Sequence, residues 1–264
     1  MNAETGITGT GINIGGLIGF LDAYSFLEQC YVEGGNIRGR AFVGGLVGIG
    51  DASIENCWSS ADVRAISHGA GLIGDSTCSS LWNCYSTGYS SQYGLIAEGG
   101  CSDVCECFWD MNTSHRSTSE GGTGLYTPQM QMLSTYLNAG WDFNNIWAIC
   151  EGTNYPRFIW QIPAGDIICP DGVDIFDLAE LCEQWLVLEI PADLAPPPTG
   201  DGIVNFADFS IFADQWPTTN DINDLLDFSR QWLKTGFQYC SADINGDSKV
   251  DEVDFALMAE NWLR

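Results

Sequence analysis

The chain has 264 residues, of which 35 are acidic and 9 basic, and its formal net charge is −26. A chain with this charge repels nucleic acid and anionic membrane surfaces at long range, which excludes a nucleic-acid-binding protein. Hydrophobic residues make up 45% of the chain. This content excludes a disordered acidic tail, and a run of about 18 apolar residues that would span a membrane as a helix is absent.

The first residues carry neither a basic segment nor an apolar core of the kind that a signal peptide requires. Two interpretations follow: a cytoplasmic protein, or the C-terminal piece of a longer secreted protein. We favour the second, because the repeats described next begin without a capping element. We therefore expect an extracellular or cell-surface location.

A glycine-rich block with a central leucine recurs four times and is followed each time by a cysteine and an aromatic residue. The blocks are 15–19, 44–48, 70–74 and 93–97, and the cysteine pairs are Cys30-Tyr31, Cys57-Trp58, Cys84-Tyr85 and Cys107-Phe108. The cysteines are 27, 27 and 23 residues apart. Each copy contains strands too short to bury a face alone, so the pattern predicts stacked β-coils with one continuous core.

These blocks resemble the GLUG repeat of bacterial surface and secreted proteins, over roughly residues 10–110. The resemblance implies that residues 1–110 form a β-solenoid scaffold. It implies no catalytic activity.

The 11 cysteines allow two interpretations. Cys30, Cys57, Cys84 and Cys107 would form an inward ladder of small apolar side chains. Alternatively, the spacing of Cys101, Cys105 and Cys107 suits contact with a metal. We favour the ladder, because zinc sites prefer Cys-x-x-Cys pairs and none occurs here.

Residues 1–110 offer little for catalysis. Arg38, Arg40 and Arg64 are the only strong bases, the acidic residues are scattered, and His68 and His115 are isolated in the sequence. A glycan-degrading β-helix enzyme needs clustered carboxylates. We therefore predict a non-catalytic protein. The alternative is the C-terminal part of a polysaccharide-degrading hydrolase or lyase.

Residues 111–162 leave the repeat and predict a capping segment. Thr127-Pro128 is typical of a helix start, Met130, Leu133 and Leu137 form a stripe, and Gly140 is a stop signal. Aromatic residues then predict packing over the last coil. Stacking on sugar rings is the alternative use of these aromatics. A further, weaker interpretation is glycan binding by exposed Trp58, Trp82 and Tyr85.

The last hundred residues repeat a helical pattern in which an Asp precedes a Trp by eight residues. Apolar positions between them predict amphipathic helices. We expect an extra, degenerate unit at 163–190 and a small all-α domain at 191–264.

The segment before the last helix predicts a calcium site. Oxygen-bearing side chains occupy positions 1, 3, 5, 9 and 12 of a 12-residue loop, and Lys249 at position 7 would offer its backbone carbonyl. The predicted ligands are Asp243, Asn245, Asp247, Lys249, Asp251 and Asp254. An acidic helix-capping turn is the alternative.

This loop-helix unit resembles the F-hand of type I dockerins. The resemblance covers about residues 191–264 and implies Ca²⁺ binding and a cohesin-like protein partner. A second set of ligands comprises Asp193, Asp201, Ile203, Asn205 and Asp208, in a loop with an inserted Pro196-Pro197-Pro198-Thr199. A third set, in the extra unit, comprises Asp166, Asp171, Asp174 and Asp177.

The sequence therefore predicts a non-catalytic scaffold. A solenoid would bind a polysaccharide or a cell-surface ligand, and a calcium-dependent dockerin-like tail would tether it. Adhesion at the cell surface and a place in polysaccharide catabolism are the processes that such an arrangement suits.

Overall fold

The computed structural model describes residues 6–76, 80–99, 103–170, 172–173, 177, 194–195 and 206–215. The chain divides into two compact units, residues 1–158 and residues 159–264. The first unit is mainly β and the described part of the second contains short helices.

The first unit is a β-solenoid of about 4 turns, built from four parallel sheets, here A to D. Strands are numbered in chain order. Sheet A contains β1 (Gly6–Thr8), β2 (Ile12–Gly15), β6 (Asn36–Gly44) and β10 (Asp62–Ala70). Sheet B contains β3 (Ile18–Leu21), β7 (Val47–Gly50) and β11 (Ile73–Ser76). Sheet C contains β4 (Phe26–Glu28), β8 (Ser53–Glu55), β12 (Ser80–Trp82) and β14 (Asp103–Cys105). Sheet D contains β5 (Tyr31–Val32), β9 (Trp58–Ser59), β13 (Tyr85–Ser86), β15 (Phe108–Asp110) and β16 (Thr123–Leu125).

The glycine-leucine block forms the corner between sheets A and B. The carbonyl of Leu72 accepts hydrogen bonds from the amides of Leu46 and Val47, at 2.9 and 3.1 Å. Leu46 and Leu95 each receive the same two bonds from the preceding coil. The predicted repeat is thus confirmed as a structural repeat: Leu46, Leu72 and Leu95 are buried and their carbonyls each join two coils, whereas Leu17 of the first block is exposed.

Glycine is required at this corner because backbone of its own coil and of the next coil lies against it. A Cβ on Gly44 would lie 1.9 Å from the carbonyl oxygen of Val47 and 2.6 Å from that of Leu72. A Cβ on Gly45 would lie 2.0 Å from the carbonyl oxygen of Gly71. Any side chain here would force the coils apart.

Two apolar clusters fill the solenoid. The larger contains the leucine corner, Ile54 and Leu81 of sheet C, and the cysteines. The smaller lies under sheet A around Ile37, Val43 and Val63. Coils in register place equivalent residues above one another, so each layer adds to one core, as expected for a solenoid.

A capping segment of residues 111–158 follows the last coil. It contains α1 (Met111–Ser114), α2 (Thr127–Met130), α3 (Leu133–Asn138), β17 (Trp147–Ala148) and β18 (Arg157–Phe158), the last two paired antiparallel. Its aromatic side chains pack on sheet D, where Trp58, Tyr85 and Phe108 join Trp141 and Trp147 in a third buried cluster. Core packing is therefore the use of these aromatics.

The predicted capping helix differs in detail from the structure. One helix was expected from Thr127 to Gly140, but two short helices form, with Met132 extended between them. Tyr136 is fully buried and Leu137 is exposed, because the break rotates the second helix. Gly140 has a positive φ of 80°, as the stop signal predicted.

The described part of the second unit begins with a 3₁₀ turn at Ile159–Gln161 and includes α4 (Phe206–Gln215). Phe209 of α4 is buried and Asp208 lies in its first turn. The other predicted helices of residues 163–264 lie outside the described residues.

Candidate functional site

The cysteines predicted to point inward do form a ladder. The amide of Cys57 donates to the sulfur of Cys84 at 3.3 Å, and the amide of Cys84 donates to the sulfur of Cys107 at 3.4 Å. Cys30 joins at the first coil. All four thiols are free, and burial raises the pKa of the Cys84 thiol. At Cys84 the raised pKa leaves little thiolate, which is the form that binds metals.

The residue before each ladder cysteine has a left-handed backbone. Gln29, Asn56, Asn83 and Glu106 have φ values between 48° and 54°. Asparagine adopts this conformation more readily than most residues. The Asn-Cys step at residues 56–57 and 83–84 is therefore a sequence signal for a corner.

The alternative use of the cysteines as metal ligands gains no geometric support. Cys105 is half-buried beside Cys107, and Cys101 lies outside the described residues. Among the residues that the structure describes, His, Cys, Asp and Glu side chains do not gather in groups of three or more that could hold a metal ion.

The proposed glycan-binding aromatics are mostly internal, which corrects that interpretation. The Trp58 ring stacks between those of Tyr31 and Tyr85, with ring centres 4.9 and 5.7 Å apart. Both Trp58 and Tyr85 are buried. The Tyr85 hydroxyl donates to the carbonyl of Pro156 at 2.5 Å. Trp82 is exposed, but one ring does not make a stacking platform.

The candidate acid-base residues of the solenoid are spread over its surface. The Nε2 atom of His68 lies 3.0 Å from the Oε2 atom of Glu98. His115 caps the C-terminus of α1, and its ring centre lies 6.0 Å from that of Tyr89. Arg38, Arg40 and Arg64 lie on sheet A.

In the second unit, the predicted ligands Asp177 and Asp208 make equivalent hydrogen bonds. The Oδ1 atom of Asp177 accepts from the amides of Ile167 and Ile168, at 2.7 and 3.1 Å. The Oδ1 atom of Asp208 accepts from the amides of Leu194 and Ala195, at 2.5 and 2.7 Å. In both cases the acid at the end of a predicted loop bonds the two amides that follow the loop's first acid.

The second of these loops is longer than the first, and the four-residue insertion in its sequence accounts for the difference. The bonds of Asp177 span 10 and 9 residues, whereas those of Asp208 span 14 and 13. The difference of four equals the insertion 196–199. The insertion therefore lengthens the loop without changing how its two ends meet.

These carboxylates suit a hard cation. Asp177 and Asp208 are buried, at 2% and 0% exposure, and their amide bonds fix the direction of each carboxylate. Asp166 accepts from the amide of Gly172 at 3.0 Å, which turns the first acid into its loop. Carboxylates held in this way could contribute oxygens to Ca²⁺, which takes six to eight of them.

The remaining predicted ligands lie outside the described residues. They are Asp171, Asp174, Asp193, Asp201, Ile203, Asn205, Asp243, Asn245, Asp247, Lys249, Asp251 and Asp254.

Comparison with known proteins finds a partial match. A protein of Evansella cellulosilytica whose name describes a Gly-rich membrane protein is 34% identical over a 119-residue alignment, which covers 40% of this chain. The chain spans about 14% of the length of that relative. No family profile and no solved structure matches the chain.

Within the described part of the chain, every helix is too short or too polar to cross a membrane.

Proposed function

We propose that this protein is a non-catalytic binding scaffold of the cell surface or extracellular space. Its GLUG-type β-solenoid presents the binding surface. A dockerin-like tail with Ca²⁺ in its loops tethers that solenoid to a protein partner of the cohesin type.

The proposed calcium-dependent tether rests on the matching hydrogen bonds of Asp177 and Asp208. Two segments that differ in length by four residues close in the same way, through a buried carboxylate at the loop's end. A loop for a hard cation needs carboxylate oxygens held in place at its ends, and the amide bonds hold these two carboxylates in such positions. The equivalence supports a tail made of repeated loop-helix units.

The positions of the cysteines, aromatic residues and histidines support the proposal that the solenoid is a scaffold. The cysteines and most of the aromatics are absorbed into the core. His68 and His115 lie apart, each with a different neighbour. What remains for function in the solenoid is its outer surface.

Two further facts fit a location outside the cytoplasm. Cys150 is disulfide-bonded, and disulfides persist mainly in oxidising compartments. The partial relative bears a name that places it at a membrane.

Calcium titration of the full chain by calorimetry tests the tether. We expect saturable binding, together with a gain of helical circular dichroism that a chelator reverses. Asp243→Ala should remove one site, because it deletes the first ligand of the most complete loop. Asp22→Ala is the control, since it removes one exposed acid from the solenoid.

Absence of binding heat, or equal loss in the two variants, would contradict the calcium tether. A digestion screen on polysaccharides tests the scaffold half. Release of new reducing ends or unsaturated products would show that the protein is an enzyme.

A further inference from the structure

The fourth coil of the solenoid is four residues shorter than those before it, and the whole deficit falls on sheet A. The cysteine steps show the shortening, as 27, 27 and 23 residues. Val63 lies opposite Ser90, and Ala70 lies opposite Tyr93, so seven steps along β10 face only three on the next coil. The middle of β10 is therefore left uncovered.

A groove of about 440 Å³ occupies this place. Its lining includes His68, Ser91, Gln92, Tyr93, Arg116 and Thr118. The lining comes from three successive coils, so the groove runs along the stack.

Side chains replace the missing backbone at the floor of the groove. The Gln92 amide accepts from the amide of Gly69 at 2.7 Å and donates to the carbonyl of Ile66 at 2.9 Å. The Ser91 hydroxyl accepts from the amide of Ala65 at 3.0 Å. The backbone amide and carbonyl groups in the uncovered part of β10 thus find side-chain hydrogen-bond partners. The groove is therefore a built feature of the fold.

Four of the nine basic residues of the chain lie on this side of the solenoid. Arg38 and Arg64 are direct partners on adjacent strands, and Arg40 lies two residues further along β6. Arg64 and Arg116 both lie over the Tyr89 ring, at 5.0 and 5.9 Å from its centre. With coils about 4.8 Å apart, the row from Arg38 to Arg116 covers about 14 Å.

Within the described residues, no carboxylate forms an ion pair with these four arginines. The ion pairs there join His68 to Glu98 and Arg157 to Glu33. Like charges on adjacent strands destabilise a sheet unless an anion compensates them. Arg116 uses its Nε to donate to the carbonyl of Ser90 at 2.7 Å, which leaves its terminal nitrogens for other acceptors.

We infer that this groove and the arginine row bind an acidic polysaccharide, one that carries carboxylate or sulfate groups. The inference rests on the proposed scaffold function and names the ligand class of its surface. Arginine forks match such groups in geometry, and the hydroxyl and amide lining suits sugar hydroxyls. Nucleic acid fits less well, because its charges are about 1.7 Å apart and the net charge of −26 repels so dense a polyanion.

The test is affinity electrophoresis of the full chain in gels that contain polygalacturonate, chondroitin sulfate or neutral dextran, with a chelator present. The chelator removes calcium bridges between the acidic tail and an acidic glycan. We expect retardation by at least one acidic polymer and none by neutral dextran. Arg64→Gln and Arg116→Gln should each weaken binding about tenfold, and the double variant should abolish it.

Arg157→Gln is the control, because it removes the same charge from β18, where Arg157 is already paired with Glu33 and is not a member of the row. It should change binding less than twofold, and circular dichroism should show that all variants are folded. Equal effects of Arg64→Gln and Arg157→Gln, retardation by neutral dextran alone, or tighter binding of single-stranded DNA would overturn the inference. Each of these results would leave the calcium titration, and with it the tether, unaffected.

Discussion

At the scale of single residues, Asp110 shows how the cap is joined to the solenoid. This carboxylate is fully buried at the end of β15. One oxygen accepts from the amides of Asn112 and Thr113, and the other from the hydroxyls of Thr127 and Tyr155. A buried charge is tolerated only when it is satisfied in this way.

Asp110→Asn should lower the free energy of unfolding by about 2 kcal/mol or more, because an amide cannot accept from all four donors. Urea unfolding followed by tryptophan fluorescence measures this. Asp142→Asn is the control: Asp142 also accepts from two following amides, but it is only half-buried, so water can replace the lost bonds. Equal losses in the two variants would contradict the role of Asp110.

At the scale of an element, the glycine corners set how closely the coils approach. Gly44 and Gly50 lie at the ends of β6 and β7 and are both buried. A Cβ on Gly44 would meet backbone oxygen at 1.9 Å, whereas a Cβ on Gly50 would meet its nearest atom, the side chain of Ile54, at 3.5 Å. Two glycines in the same coil thus carry different constraints.

Gly44→Ala should destabilise the solenoid by about 3 kcal/mol or more, because the added Cβ would meet the carbonyl oxygens of Val47 in its own coil and Leu72 in the next, and relief requires both the corner and the coil spacing to change. Gly50→Ala should change stability by less than about 1 kcal/mol, since it also restricts the unfolded chain. Thermal unfolding of both variants provides the comparison. The corner interpretation is wrong if the two midpoints shift alike.

At the scale of the whole molecule, charge opposes folding. Residues 166–264 hold 20 of the 35 acidic residues and only 4 of the 9 basic ones. Repulsion within so acidic a chain destabilises compact states. Salt shortens the range of this repulsion.

Raising NaCl from about 10 mM to about 150 mM shortens the screening length from about 30 Å to about 8 Å and should raise the midpoint of thermal unfolding. Calcium chloride at equal ionic strength should raise it further if the loops hold Ca²⁺, because a ligand of the folded state adds its binding free energy. A midpoint that does not respond to NaCl would show that the acidic residues are already compensated. Equal effects of the two salts would count against the loops.

The sequence determined the repeat by itself. The spacing of the glycine-leucine blocks and of the cysteines predicted stacked coils and an inward thiol ladder, because each coil must place equivalent residues at the same point of the core. The same reasoning predicted the aromatic cap. The loop spacing predicted Asp166, Asp177 and Asp208 as Ca²⁺ ligands; their carboxylates accept from backbone amides, and Ca²⁺ binding there stays a prediction.

Only the tertiary structure decided where the shortened coil loses its four residues. The cysteine step of 23 shows a deficit but assigns it to no sheet. Pairing between coils places it opposite the middle of β10, opens the groove, and brings Arg116 to the ring that Arg64 also covers. The burial of Trp58 and Tyr85 was likewise decided by the cap, because exposure depends on which segment packs over a strand and not on the strand's own residues.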